Sequence, residues 1–236
     1  MKVLIACEES QTVCKAFREL GHEAFSCDIL PCSGEHPEWH IQGDVLEIIG
    51  NGDKTIPLQS GDVAFIQSWD LMIAHPPCTF LSYAATSSWN NEGRVWKRLE
   101  ALNFFAKLWT ANIPFICVEN PMGCASPTIA KYSQIIQPYQ FGDEESKRTC
   151  LWIKNLPLLV HTKIVKPKIY GYYKRGKKKG MPIYGNNYLK FSKDRGMIRS
   201  KTFPGIAKAM ADQWGKCVID KSLIVKDGLT AQEKKI

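Results

Sequence analysis

The sequence predicts an α/β fold, a doubly wound and mostly parallel sheet with an antiparallel final strand and a small basic insert. Three observations predict it. Short apolar runs at 2–6 (KVLIA), 70–74 (DLMIA) and 114–118 (PFICV) have the length of strands and are apolar on both faces, as in a buried parallel sheet. The first run opens a strand–helix–strand unit: Val13, Phe17 and Leu20 recur at helical spacing over 11–20, Gly21 stops the helix, and 23–27 give a second strand. Third, one segment supplies all the net positive charge. Residues 160–201 hold thirteen Lys or Arg against the single acid Asp194, while the rest of the chain has 18 basic and 22 acidic residues.

The chain of 236 residues is long enough for one sizeable domain or a domain with a small appendage. No run reaches the roughly 18 apolar residues of a membrane span. The start, MKVLIACEES, is cut short by two glutamates and reads as a strand, not a signal peptide. Nine cysteines without a Cys-x-x-Cys pair, several of them inside apolar runs, point to reduced thiols in a cytoplasmic protein. The five histidines have no metal-ligand spacing, and no metal is expected.

Further along, residues 29–61 read as irregular, with a short strand or turn at 41–45, and 62–69 as a poorly defined connection. Residues 83–90 read as a mobile loop. A helix over 91–111 carries Val95, Leu99, Leu102, Phe105, Leu108 and Trp109 on its apolar face. A second helix is expected over 125–136, then two strands around a turn at Gly142-Asp143. The division is a core at 1–159, a basic region at 160–201 made of hairpins and loops, a helix returning to the core at 202–225, and a frayed tail at 226–236.

The chemistry-bearing residues gather at strand ends. HPPC at 75–78 is a stiff turn that holds a thiol, Cys78, after a buried strand. VENP at 118–121 puts the carboxylate Glu119 at the end of another, and in a parallel sheet such ends share one rim. Glu8, Asp28 and Asp44 are further strand-end acids, and Asp28 follows Glu8 at the 20-residue spacing of an acid that takes ribose hydroxyls. The first turn, ACEESQ, has no glycine, which argues against a pyrophosphate-bearing dinucleotide and leaves a nucleoside cofactor without phosphates, S-adenosylmethionine being the obvious one. The basic block, interleaved with Tyr170, Tyr172, Tyr173, Tyr184, Tyr188 and Phe191, points to a nucleic-acid partner.

Taken together, HPPC, VENP and SKRTCLW at 146–152 resemble the motifs of the DNA cytosine carbon-5 methyltransferases, with Pro121 where the family has valine. CEES, GDV, SKRTCLWIKNLP and TFPGIAKAMADQW resemble the compact bacteriophage members, and the likeness covers roughly 1–160 and 200–216. The resemblance implies a Rossmann-like S-adenosylmethionine-dependent sheet and double-stranded DNA as substrate. It implies Cys78 as nucleophile, Glu119 as the acid on the base, and Arg148 as the arginine of its strand. For the cofactor it implies Cys7, Glu8, Ser10, Asp28, Ile29, Asp44, Val45 and Pro76. For DNA it implies Ser82 and, with the basic block, Lys174, Arg175, Lys177, Lys178, Lys179, Arg195 and Arg199. Two alternatives stand beside it: a catalytically degenerate DNA-binding protein of the same fold, and an enzyme that modifies carbon 5 of a pyrimidine nucleotide.

Overall fold

The structure is a computed structural model that describes residues 1–50, 52–185 and 201–233. The elements begin β1 (Lys2–Ala6), α1 (Thr12–Glu19), β2 (Glu23–Asp28), β3 (His40–Gln42), β4 (Lys54–Pro57), β5 (Val63–Ile66) and β6 (Leu71–Ala74). They continue with α2 (Arg94–Trp109), β7 (Phe115–Asn120), α3 (Ala125–Thr128), β8 (Gln134–Ile136), β9 (Thr149–Lys154), β10 (Ile169–Tyr172), β11 (Pro182–Tyr184) and α4 (Pro204–Glu233).

Seven strands form one sheet in the order β3-β2-β1-β6-β7-β9-β8. β1, β2, β3, β6 and β7 run parallel, and β9 is antiparallel to both β7 and β8. This is the Rossmann-like sheet expected, with its antiparallel finish. Along each strand the side chains alternate between two cores. Leu4, Ala6, Met72, Ala74, Ile116, Val118 and Trp152 pack with Phe105 and Leu108 of α2. Val3, Ile5, Leu71, Ile73, Cys117 and Leu151 pack with Val13 and Phe17 of α1 and with Met210 and Trp214 of α4. The runs read as apolar on both faces because both faces are covered.

Chain order places the functional crevice. From β1 the sheet grows outward through β2 to β3; it then restarts at β6 on the other side of β1 and grows through β7. The strand order therefore reverses between β1 and β6. The carboxyl ends of those two strands open a gap where ligands of such sheets bind.

Several sequence expectations change. The helix expected over 125–136 is only α3, because Pro127 lies in it and Gln134–Ile136 pair with β9. The first of the two strands expected around Gly142 accordingly lies earlier in the chain. Residues 62–69 hold β5, which pairs with β4 as a hairpin; its apolar run, VAFI, is only four residues long and exposes Val63 and Phe65. Tyr83–Ser88 form a short 3₁₀ helix. Val95 and Leu99 are exposed, since only the second half of α2 reaches the core through Phe105 and Leu108. Among the described residues no helix is long and apolar enough to cross a membrane, and no group of His, Cys, Asp or Glu could hold a metal ion.

Candidate active site

The HPPC turn leaves β6 on one lip of the gap. Pro76 is buried while Pro77 and Cys78 are exposed, so the turn presents its thiol to solvent. The main chain after it doubles back: Leu81 and Ser82 donate their N–H groups to the Cys78 carbonyl at 3.1 and 2.9 Å. Ser82 then caps the 3₁₀ helix, its Oγ accepting from Ala84 N–H. The loop also rests on the segment that follows β7. Cys124 N–H donates to Leu81 O at 2.9 Å, Tyr83 N–H to Met122 O at 3.1 Å, and Ser82 bridges Gly123. A Cβ on Gly123 would stand 2.0 Å from Leu81 O, so only glycine allows this approach.

VENP and HPPC are bonded directly. Asn120, 1 % exposed, donates its Nδ2 to Pro76 O at 2.7 Å. Register sets the second contact: Ala74 pairs with Val118, so the next residues, His75 and Glu119, are neighbours, and His75 Nδ1 lies 3.0 Å from Glu119 Oε2. Burial pushes the Glu119 carboxyl up, but the His75 hydrogen bond, the Lys147 charge and a bond from Thr149 outweigh it and hold the group below the ordinary carboxylate range. Glu119 is thus an anion with a buried cationic-capable partner.

Strand parity decides which cation faces Glu119. Its partner across the antiparallel pair is Leu151. A two-residue period from Leu151 brings Thr149 and Lys147 to that side and turns Arg148 away. Arg148 is exposed and makes no ion pair with Asp143 or Glu144. Lys147 is therefore the basic neighbour of Glu119, a role that counting back from the strand could have found.

On the other lip the turn after β1 has the backbone its sequence did not advertise. Cys7 and Gln11 both take left-handed φ, 59° and 57°, where glycine would be unstrained. Glu8, 4 % exposed, accepts from Val13 N–H at 2.7 Å and Cys14 N–H at 3.2 Å, so its carboxylate caps α1. Burial raises its pKa, partly offset by His75 and those two amides. Gln11 is fully buried: it bonds Ser26 Oγ, His36 O and His36 N–H and holds the loop after β2 against the turn. Gly34 lies so close that a Cβ there would meet the Gln11 side chain at 2.5 Å. Ser10 bonds Thr12.

The ends of β2 and β3 complete that lip. Asp28 accepts from Leu30 N–H, and Asp44 caps a 3₁₀ turn whose first residue, Val45, is buried. Both carboxylates lie near Cys7 and Cys27: burial raises these thiols first, Cys27 to about 12, and Asp28 and Asp44 add to it. Ile29 is 74 % exposed beside Asp28, an apolar face next to a carboxylate. That pairing fits a nucleoside, whose ribose hydroxyls donate and whose base needs an apolar wall.

The basic region begins as the β10–β11 hairpin. Its tip holds Lys174, Arg175, Lys177, Lys178 and Lys179, all exposed. The segment leading into β10 lies along the β8–β9 connection: Val165 N–H donates to Tyr139 O at 2.9 Å and Lys168 N–H to Glu144 O at 2.7 Å. Arg195 and Arg199, with Tyr188 and Phe191, lie outside the described residues.

No family model matches the chain, and no curated protein matches it. Among solved structures it is similar to a prophage-encoded protein of E. coli described as a DNA modification methyltransferase. The two share 12 % identity at a TM-score of 0.39, over 70 % of this chain and 52 % of the other. The chain thus spans about half the length of that structure. The chemistry of the site is argued from this chain's own residues.

Proposed function

We propose that the protein is a DNA methyltransferase that acts on carbon 5 of cytosine through a covalent adduct with Cys78. The observation that carries this reading is the joined pair of motifs at the switch point: an exposed thiol on a loop tied by Asn120 to the strand that bears a buried carboxylate. Carbon 5 of cytosine is a poor nucleophile. Addition of the Cys78 sulfur to carbon 6 makes the ring an enamine that is nucleophilic at carbon 5. Glu119 at ring nitrogen 3 holds the base and supports the charge developing there.

Asp28, Ile29, Asp44 and the turn at Cys7–Ser10 would hold S-adenosylmethionine, which supplies an electrophilic methyl group. A base inside a duplex must be flipped out at a cost of a few kcal/mol. The exposed hairpin cations supply phosphate contacts that help offset it. A free pyrimidine nucleotide would have no use for them.

Transfer of tritiated methyl from S-adenosylmethionine to genomic DNA tests the reading. The wild type is expected to label DNA, and Cys78→Ala to lose the activity by about 10³-fold or more. Absence of labelling by the wild type on every DNA tried would sink it. Gln11 filling the first turn favours a second reading, a DNA-binding protein of this fold without catalysis. Calorimetry separates the two, because clear binding of S-adenosylmethionine contradicts the second. Replacing Lys177, Lys178 and Lys179 by alanine is expected to reduce the slope of log affinity against log salt by about 2.7.

A further inference from the structure

His40 of β3 and His75 after β6 serve different ends. His40 is fully buried with both ring nitrogens bonded, Nδ1 to Ser26 Oγ and Nε2 to Leu30 O, each at 2.9 Å. That is a histidine used for packing. His75, its side chain 8 % exposed, bonds Glu119 through Nδ1, while its Nε2 is buried with no hydrogen-bond partner among the described residues. Leaving such a buried atom unmatched forfeits the hydrogen bonds it had in water. Packing alone does not account for it, since an aliphatic side chain would fill the space without that cost.

The setting is specific. His75 follows β6 directly, and its N–H donates to Ala6 O at 2.9 Å, so the sheet ladder fixes its backbone. Two carboxylates face it from the flanking strands, Glu119 of β7 and Glu8 from the turn after β1. Lys147 faces Glu119 from the segment before β9. The exposed Cys78 lies three residues on, at the mouth of the same gap.

We infer that His75 is a positioning residue that supplies Glu119 with the proton the target base requires and takes it back. The inference rests on the cytosine reading above. As Cys78 Sγ bonds to carbon 6, the C5–C6 π pair moves to C4–C5 and the C4–N3 π pair moves to nitrogen 3. Cationic His75 passes its Nδ1 proton to the Glu119 carboxylate, and the carboxyl so formed delivers it to nitrogen 3. His75 is then neutral, with its remaining proton on Nε2. After carbon 5 has taken the methyl group, solvent water removes the carbon 5 proton, the C5–C6 bond re-forms and the thiolate leaves, and the nitrogen 3 proton returns through Glu119 to His75. The relay thus ends each turnover with its own proton back on His75. Without it, a Glu119 held as the anion has no proton to offer.

The test is the pH profile of kcat/KM for methyl transfer to DNA by the full chain, wild type against His75→Asn. Asparagine can keep a donor toward Glu119 but cannot carry a second proton. The wild type is expected to lose activity toward alkaline pH, and the variant to be slower by about tenfold or more at neutral pH with that limb absent. A variant with the wild-type rate, or with a reduced rate and an unchanged profile, overturns the relay. His75→Gln is a second variant with the same expectations should His75→Asn not fold. A readout without turnover is the ¹³C-carboxyl titration of Glu119, whose midpoint is expected to rise in either variant; an unmoved midpoint overturns the relay even where the wild type methylates DNA. A wild type that methylates none overturns the cytosine reading and the relay together.

Discussion

The two lips of the gap are held by different means. The lip carrying Cys78 is fixed by main-chain bonds, by one buried carboxamide and by a glycine that nothing can replace without moving Leu81. The lip carrying the first turn spends two strained backbone positions, Cys7 and Gln11, and recovers them through the three hydrogen bonds of the Gln11 side chain. Rigidity on the first side comes from register and close approach; on the second it comes from a replaceable side chain. Under the proposed function the first lip carries a nucleophile, which must be placed within a fraction of an ångström, and the second a nucleoside, which tolerates adjustment.

The sharpest way to break this contrast is Gly123→Ala. The added methyl forces the nucleophile loop off its seat, and methyl transfer is expected to fall about 100-fold while the fold persists. A wild-type rate would mean that the close approach does not position Cys78. Next is Asn120→Ala, which strands the buried Pro76 carbonyl and should lower unfolding free energy by about 1–3 kcal/mol in a denaturant titration. Gln11→Gly sets relief of a left-handed side chain, about 1 kcal/mol, against the loss of three hydrogen bonds of about 1 kcal/mol each. A net loss of about 2 kcal/mol is expected, and a gain would show that strain dominates that lip.

The smallest effect concerns pH, and its sign differs between the lips. Glu8 titrates higher folded than unfolded, so the stability it contributes is present below the unfolded carboxylate value and is lost as pH rises through the folded one. Glu119 titrates lower, so its contribution is present above the unfolded value and is lost as pH falls through the folded one. The advantage of wild type over Glu8→Gln should shrink as pH rises above the unfolded carboxylate value, and that over Glu119→Gln should shrink as pH falls below it. Denaturant midpoints at a series of pH values read both, and parallel trends would contradict the opposed shifts.

How much of this was legible in the sequence follows from what each feature depends on. β1, β6 and β7 were legible because strands covered on both faces leave unbroken apolar runs, and β2 because it follows the helical spacing and glycine stop of α1. The β4–β5 hairpin was not, because its two strands are four residues each and the run VAFI leaves Val63 and Phe65 exposed instead of covered on both faces. Cys78 and Glu119 could be set on one rim by reasoning about strand ends. Their connections could not: the Asn120–Pro76 and His75–Glu119 contacts each join residues 44 apart, and only the register of β6 against β7 brings them together. Lys147 lay closer to reach, one step of strand parity from Arg148. The missing glycines of the first turn were visible; that the backbone keeps the glycine conformation without them was not.

The seat of the basic hairpin has a consequence for exchange between proteins. The segment leading into it is fastened by main-chain groups, Val165 to Tyr139, Lys168 to Glu144 and Lys163 to Gln140, and the Tyr170 hydroxyl of β10 adds a bond to Glu145. The tip from Tyr173 to Met181 closes on itself through its own turn bonds. Such a projection is a natural graft site: a tip of the same length and different charge can be transplanted onto the same stem, and the sheet beneath would keep its shape while the charge it presents is rewritten.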